Sequence, residues 1–71
     1  MTPTQFEALA TLSGLRHGPT QVGAALVLVD GVRVTDAAAQ AGISQPSLSN
    51  TLARCRDTLR LAQVLRGVAI D

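Results

Sequence analysis

The sequence predicts an all-α fold, a small bundle of four to five helices containing a helix-turn-helix, on three observations. The stretch TDAAAQAGISQPSLSNTLARCR, Thr35 to Arg56, is punctuated as two helices joined by a glycine turn. Apolar residues along most of the chain recur at helical rather than alternating spacing. With 46% hydrophobic residues and a single aromatic, Phe6, the core must be made of Leu, Val, Ile and Ala, which suits short, close-packed helices better than a sandwich.

Thr2-Pro3-Thr4-Gln5 has the form of a capping box, with Thr2 as N-cap, Pro3 at the first helical position and Gln5 placed to bond back. A helix from about Pro3 to Leu12 follows, its apolar side made by Phe6, Leu9 and Ala10 and, one turn on, Leu12 and Leu15. Phe6 is the one large wedge available to the core, and that role outweighs base stacking, which wants an exposed aromatic. Ser13 to Pro19 is a connector, because Gly14, Gly18 and Pro19 break any helix. Pro19 and Thr20 can open the next one. The run TQVGAALVLV, Thr20 to Val29, is ambiguous. Val22, Ala25, Leu26 and Val29 fit a helix, whereas ALVLV alone would fit a buried strand. Helix is favoured, since no partner strand of comparable strength is evident. Asp30-Gly31 signals a turn and Val32-Arg33-Val34 a short extended linker, with an Asp-Gly hairpin between LVLV and VRV as the rival reading.

In the central stretch Thr35 can serve as N-cap with Asp36 in the first turn. Ala37, Ala38, Ala39 and Ala41 make a narrow helix that others can approach closely, and Gly42 can take the positive φ that ends it. Ile43 plugs the turn. Ser44 caps the next helix, Pro46 is tolerated in its first turn, and Leu48, Leu52, Cys55 and Leu59 form a stripe expected to face the core. The opposite face carries Gln45, Ser47, Ser49, Asn50 and Thr51, then Arg54, Arg56 and Arg60. A helix entering the major groove presents base-reading side chains from its N-terminal turns, while arginines and caps meet phosphates. Gln45, Ser49 and Asn50 are therefore the candidate base readers, and Ser44, Ser47, Thr51, Arg54 and Arg56 the candidate backbone contacts.

Beyond Arg56 the helix either continues or restarts at Thr58, and Leu59, Leu61, Ala62, Val64, Leu65 and Val68 leave it apolar on more than one side. One side can pack inward; the other needs a partner, which a two-fold homodimer would supply through residues 57–71, with Leu61, Leu65, Val68 and Ile70 at the interface. Gly67 is expected to end the helix.

Length supports the need for a partner. The chain has 71 residues, one domain, and such a chain buries only about 60% of its unfolded surface. Net charge is +1, so there is no general basic footprint; four of the six arginines, Arg54, Arg56, Arg60 and Arg66, instead cluster in or after the second helix of the motif, with only Asp57 between them. Cys55 is alone, which excludes an intramolecular disulfide and a Cys-rich zinc site and reads as a small core residue. His17 sits in a Gly/Pro-rich loop and reads as a surface residue. No metal-ligand cluster, phosphate-cradling glycine loop or acid/base pair stands out, so no catalysis, cofactor, metal or small-molecule ligand is expected. Neither a signal peptide nor a membrane span is visible, and a cytoplasmic location follows as an expectation.

QFEA near the start, the LVLVDG run ending at Gly31, and AGISQPSLSNTLARC together resemble the KorA (TrfB-related) family of plasmid and phage transcriptional repressors. The resemblance spans roughly Thr4 to Arg56 and rests most on the spacing from Gln5-Phe6 to Val29-Asp30-Gly31 and on to Gly42-Ile43-Ser44. It implies a helical, dimeric repressor that binds palindromic operators in double-stranded DNA, with Gln45 and Asn50 where the family places base-reading side chains and Ser44 and Ser47 where it contacts backbone or caps the helix. The chain departs from the pattern in having Gln45 rather than a basic residue and Asn50 rather than the longer Gln. The recognition segment alone is also similar to the promoter-reading domains of sigma factors and response regulators. The rival function is a small protein-interaction module, an adaptor or phage-encoded inhibitor, favoured if Gln45, Ser49 and Asn50 were buried or if Arg54 and Arg56 were paired with acids.

Overall fold

A computed structural model, described for residues 1–67, contains four helices: α1 Pro3–Leu12, α2 Pro19–Leu28, α3 Val34–Ala41 and α4 Gln45–Gly67. No strand occurs among the described residues, so the fold is all-α and the hairpin reading of residues 25–34 is set aside. The Val32 N–H instead donates to the Leu26 carbonyl at 2.9 Å, folding the Asp30-Gly31 turn back onto the end of α2.

Local signals account for most of the boundaries. In the capping box at α1, the Gln5 N–H donates to Thr2 Oγ1 at 3.1 Å and the Thr2 N–H to Gln5 Oε1 at 3.0 Å. α3 begins two residues before the expected start. Arg33, not Thr35, is its N-cap, and no side chain caps it. Asp36 still lies in the first turn, where its charge suits the helix dipole. At the other end Gly42 adopts φ 74°, ψ 31°, a left-handed conformation that a Cβ would oppose, and the Ile43 N–H donates to the Ala38 carbonyl at 3.0 Å. Ser44 then caps α4: its Oγ accepts from the Ser47 N–H at 3.3 Å and its hydroxyl bonds the Ser47 hydroxyl at 2.9 Å. α4 runs unbroken through Thr58.

The core joins all four helices through Phe6, Ala10, Ala24, Ala37, Ala38, Leu48 and Leu52, with Ile43, Leu15 and the apolar residues of α2 packed around them. α2 lies at the centre, touching α1, α3 and α4. Its buried residues are Gly23 and Ala24, whereas Val22 is exposed. The reason is the closeness of the crossing. A Cβ on Gly23 would stand 3.2 Å from Leu48 Cδ1 and 3.3 Å from Ile43 Cδ1, so the smallest residues of α2 face the turn and α4. Leu12 was expected on the inner side of α1 and is also exposed. The molecule measures 45 × 21 × 20 Å because α4, about 34 Å long at 1.5 Å per residue, outruns the ten-residue helices beside it. For that reason Leu59, expected to continue the buried stripe of Leu48, Leu52 and Cys55, is 39% exposed.

Candidate nucleic-acid interface

The α3–turn–α4 unit holds the first half of α4 against the core by Leu48, Leu52 and Cys55, which fixes the azimuth of everything else on that helix. Gln45, Ser47, Ser49, Asn50, Arg54 and Arg56 are all exposed, as is Ser44 just before them. Thr51 is not. It was expected among the outward backbone contacts, yet it is only 8% exposed, because its position three residues after Leu48 and four before Cys55 lies at the edge of the packed stripe.

The exposed candidates do not form a single row. Gln45, Ser49 and Arg56 follow one another at i, i+4 and i+11 and share one shoulder of α4, while Ser47, Asn50 and Arg54 at i, i+3 and i+7 share the other. The second shoulder faces the connector between α1 and α2. Between them lies an open cleft of about 560 Å³, lined on one side by Ser47, Asn50, Thr51 and Arg54 and on the other by residues 14–20. Asn50, grouped with Gln45 and Ser49 as a candidate base reader, therefore sits nearer Arg54 and the connector than those two do.

The electrostatics of this face are simple. Among the described residues the one ion pair joins Arg60 to Asp57 at 3.3 Å, between two well-exposed side chains one turn apart. Such a pair contributes at most about 0.5 kcal/mol. Arg54 and Arg56 have no carboxylate partner there, and α4 carries no acid before Asp57. Cys55 is buried and His17 exposed, as their sequence contexts suggest.

The second half of α4 has a different surface. Leu61, Val64 and Leu65, at i, i+3 and i+4, are 60%, 59% and 62% exposed and form an apolar stripe on the side away from the buried one. Val64 was not among the expected interface residues; it is the middle of the stripe. Val68 and Ile70, the remaining expected interface residues, lie outside the described residues. Leu59 and Ala62 border a separate groove against Met1, Ala8 and Leu12 of the N-terminal segment. No helix among the described residues is long and apolar enough to cross a membrane, and no group of three or more His, Cys, Asp or Glu side chains there could hold a metal ion.

Two residues of the site went unnoticed in the sequence. Gly23 sets how closely α2 approaches the turn, and its signal is a glycine inside an otherwise apolar helix. Arg16 faces α4 across the cleft, and nothing local to it reveals that. Compared with protein-family models, curated proteins and solved structures, the chain matches none.

Proposed function

We propose that this chain is a sequence-specific DNA-binding transcriptional repressor that works in the cytoplasm as a homodimer on a palindromic operator. The observation that carries the proposal is the outward face of α4 from Gln45 to Arg56, where amides and hydroxyls precede two guanidinium groups that no carboxylate neutralises among the described residues. Gln45, Ser49 and Asn50 have the exposure and the helical position of groove-reading side chains, and Arg54 and Arg56 those of phosphate contacts. Repression follows by occupancy of the promoter, and kinship with the KorA-type repressors is part of the same proposal.

Homodimerisation is supported by the Leu61, Val64 and Leu65 stripe. Exposed apolar side chains on a projecting helix of a small domain are costly unless covered, and a second copy offers the same stripe by two-fold symmetry. Two reading helices spaced about 34–36 Å apart would double the base contacts a single small domain can make. The same stripe is what favours the second reading, a protein-interaction module, in which it meets a different protein and the arginines are ordinary surface charge.

The two readings separate in one titration. The purified chain is added to labelled random-sequence duplex DNA at about 50 and about 200 mM salt, where a protein with several phosphate contacts loses orders of magnitude in affinity. A palindrome enriched among the bound duplexes supports the DNA reading, whereas binding without enrichment that vanishes at the higher salt favours the interaction module. No binding at about 50 mM salt removes it and leaves the interaction module.

A further inference from the structure

The cleft between the connector and α4 has a composition that the reading of α4 alone does not explain. Arg16 and His17 on one wall stand opposite Arg54, Asn50 and Ser47 on the other, two segments more than thirty residues apart in the chain. No carboxylate lines the cleft. Arg16, like Arg54, is exposed and makes no ion pair or side-chain hydrogen bond among the described residues. Like-charged groups facing one another across an open space gain from an anion placed between them, and guanidinium forks match the oxygens of a phosphate. The connector wall runs into the start of α2, whose N-cap Gly18 offers no side chain and whose N1 residue Pro19 has no N–H, so Thr20 is the first donor of that helix to line the space.

We infer that this cleft is a phosphate-binding site, taking one phosphodiester of the duplex backbone beside the groove that α4 reads, with Arg16 and Arg54 as its two jaws. The inference rests on the DNA-binding reading and extends it to a part of the chain outside the helix-turn-helix. Duplex DNA is favoured over other phosphate sources because one wall belongs to the reading helix, so a phosphate held there sits one helix shoulder away from Gln45 and Ser49. Held by two elements that are fixed to each other through the core, that phosphate sets the rotation of α4 in the groove. Contacts of this kind position a reading helix without reading sequence themselves.

The test compares the wild-type chain with Arg16→Ala and Arg16→Lys on an operator duplex and on random duplex, across a salt series, with circular dichroism melts to show that each variant is folded. Arg16→Ala is expected to weaken both duplexes alike, by roughly fivefold to tenfold per bound chain near 0.1 M salt, and to reduce the slope of log affinity against log salt by about 0.9 per chain. Arg16→Lys is expected to restore the slope, because the charge remains, and only part of the affinity, because the fork is lost. Unchanged affinity and slope in Arg16→Ala, with wild-type binding intact, overturns the clamp and leaves the DNA reading standing. So does a loss confined to the operator, which would make Arg16 a base reader, or a lysine variant as damaged as the alanine one. A wild-type chain that binds no duplex at low salt removes the DNA reading itself, and the clamp with it.

Discussion

The two halves of α4 belong to one unbroken helix and present opposite surfaces. From Gln45 to Cys55 the helix buries Leu48, Thr51, Leu52 and Cys55 against the other three helices and turns amides, hydroxyls and Arg54 outward. From Arg56 to Arg66 no side chain is fully buried, and Leu61, Val64 and Leu65 stand in solvent. What separates them is length. α1 and α2 span about 15 Å each against a helix of about 34 Å, and past Cys55 α4 meets α1 only across an open groove at Leu59 and Ala62, so the same kind of residue is core at one end and surface at the other. A face left polar where the body supports it, and apolar where it does not, is what a helix would need to meet DNA with one half and a second copy of itself with the other.

The sharpest way to break this comparison is to truncate a leucine in each half. Leu48→Ala removes a fully buried side chain that touches the turn and α2, and should cost about 2–5 kcal/mol in denaturant unfolding, a large share of the stability of so small a domain. Leu61→Ala should change the unfolding of the monomer by less than about 0.5 kcal/mol. Equal costs would mean that the second half is packed in solution. Leu65→Glu should leave the monomer folded but halve the sedimenting mass and lower operator affinity by at least about 100-fold, through loss of the bivalent contact. A variant that still sediments as a dimer would place the interface elsewhere.

Gly23→Val probes the seat of the reading half. Its Cβ alone would stand 3.2 Å from Leu48 Cδ1 and 3.3 Å from Ile43 Cδ1, so the two further methyls must displace them, and about 2 kcal/mol of destabilisation is expected in the same unfolding assay. Gln45→Ala and Asn50→Ala should each reduce the preference for operator over random DNA by about 1–3 kcal/mol without changing the salt slope, which separates them from the arginines. If Asn50→Ala also lowered the slope, its place beside Arg54 on the cleft would be the cause and it would join the backbone contacts. Ser44→Ala deletes the α4 cap and should cost about 1 kcal/mol in thermal or denaturant unfolding, more than Leu61→Ala and less than Leu48→Ala.

Legibility in the sequence followed the range of the forces involved. The capping box at Thr2, the left-handed turn at Gly42 and the Ser44 cap depend on residues within a few positions of one another, and each was readable as written. The buried stripe of α4 was readable as far as Cys55, because periodicity reports which face is apolar; it failed at Leu59, because periodicity does not report where the neighbouring helices stop. In α2, which is apolar nearly all round, pattern could not say which residues face inward. The crossing with α4 chose Gly23 and Ala24 for their size. Thr51 and Arg16 show the same limit at the site: one was drawn into the edge of the core and the other was brought opposite α4 by folding across the bundle.

The most direct test of the central claim, that one half of α4 reads DNA while the other pairs two copies, is selection of bound sequences from random duplex DNA by the purified wild-type chain, with Leu65→Glu selected in parallel. A palindrome whose half-sites lie about one helical turn apart, enriched by the wild type and lost with Leu65→Glu, is the predicted result. The claim is contradicted if no sequence is enriched by the wild type, or if Leu65→Glu enriches the same palindrome as strongly.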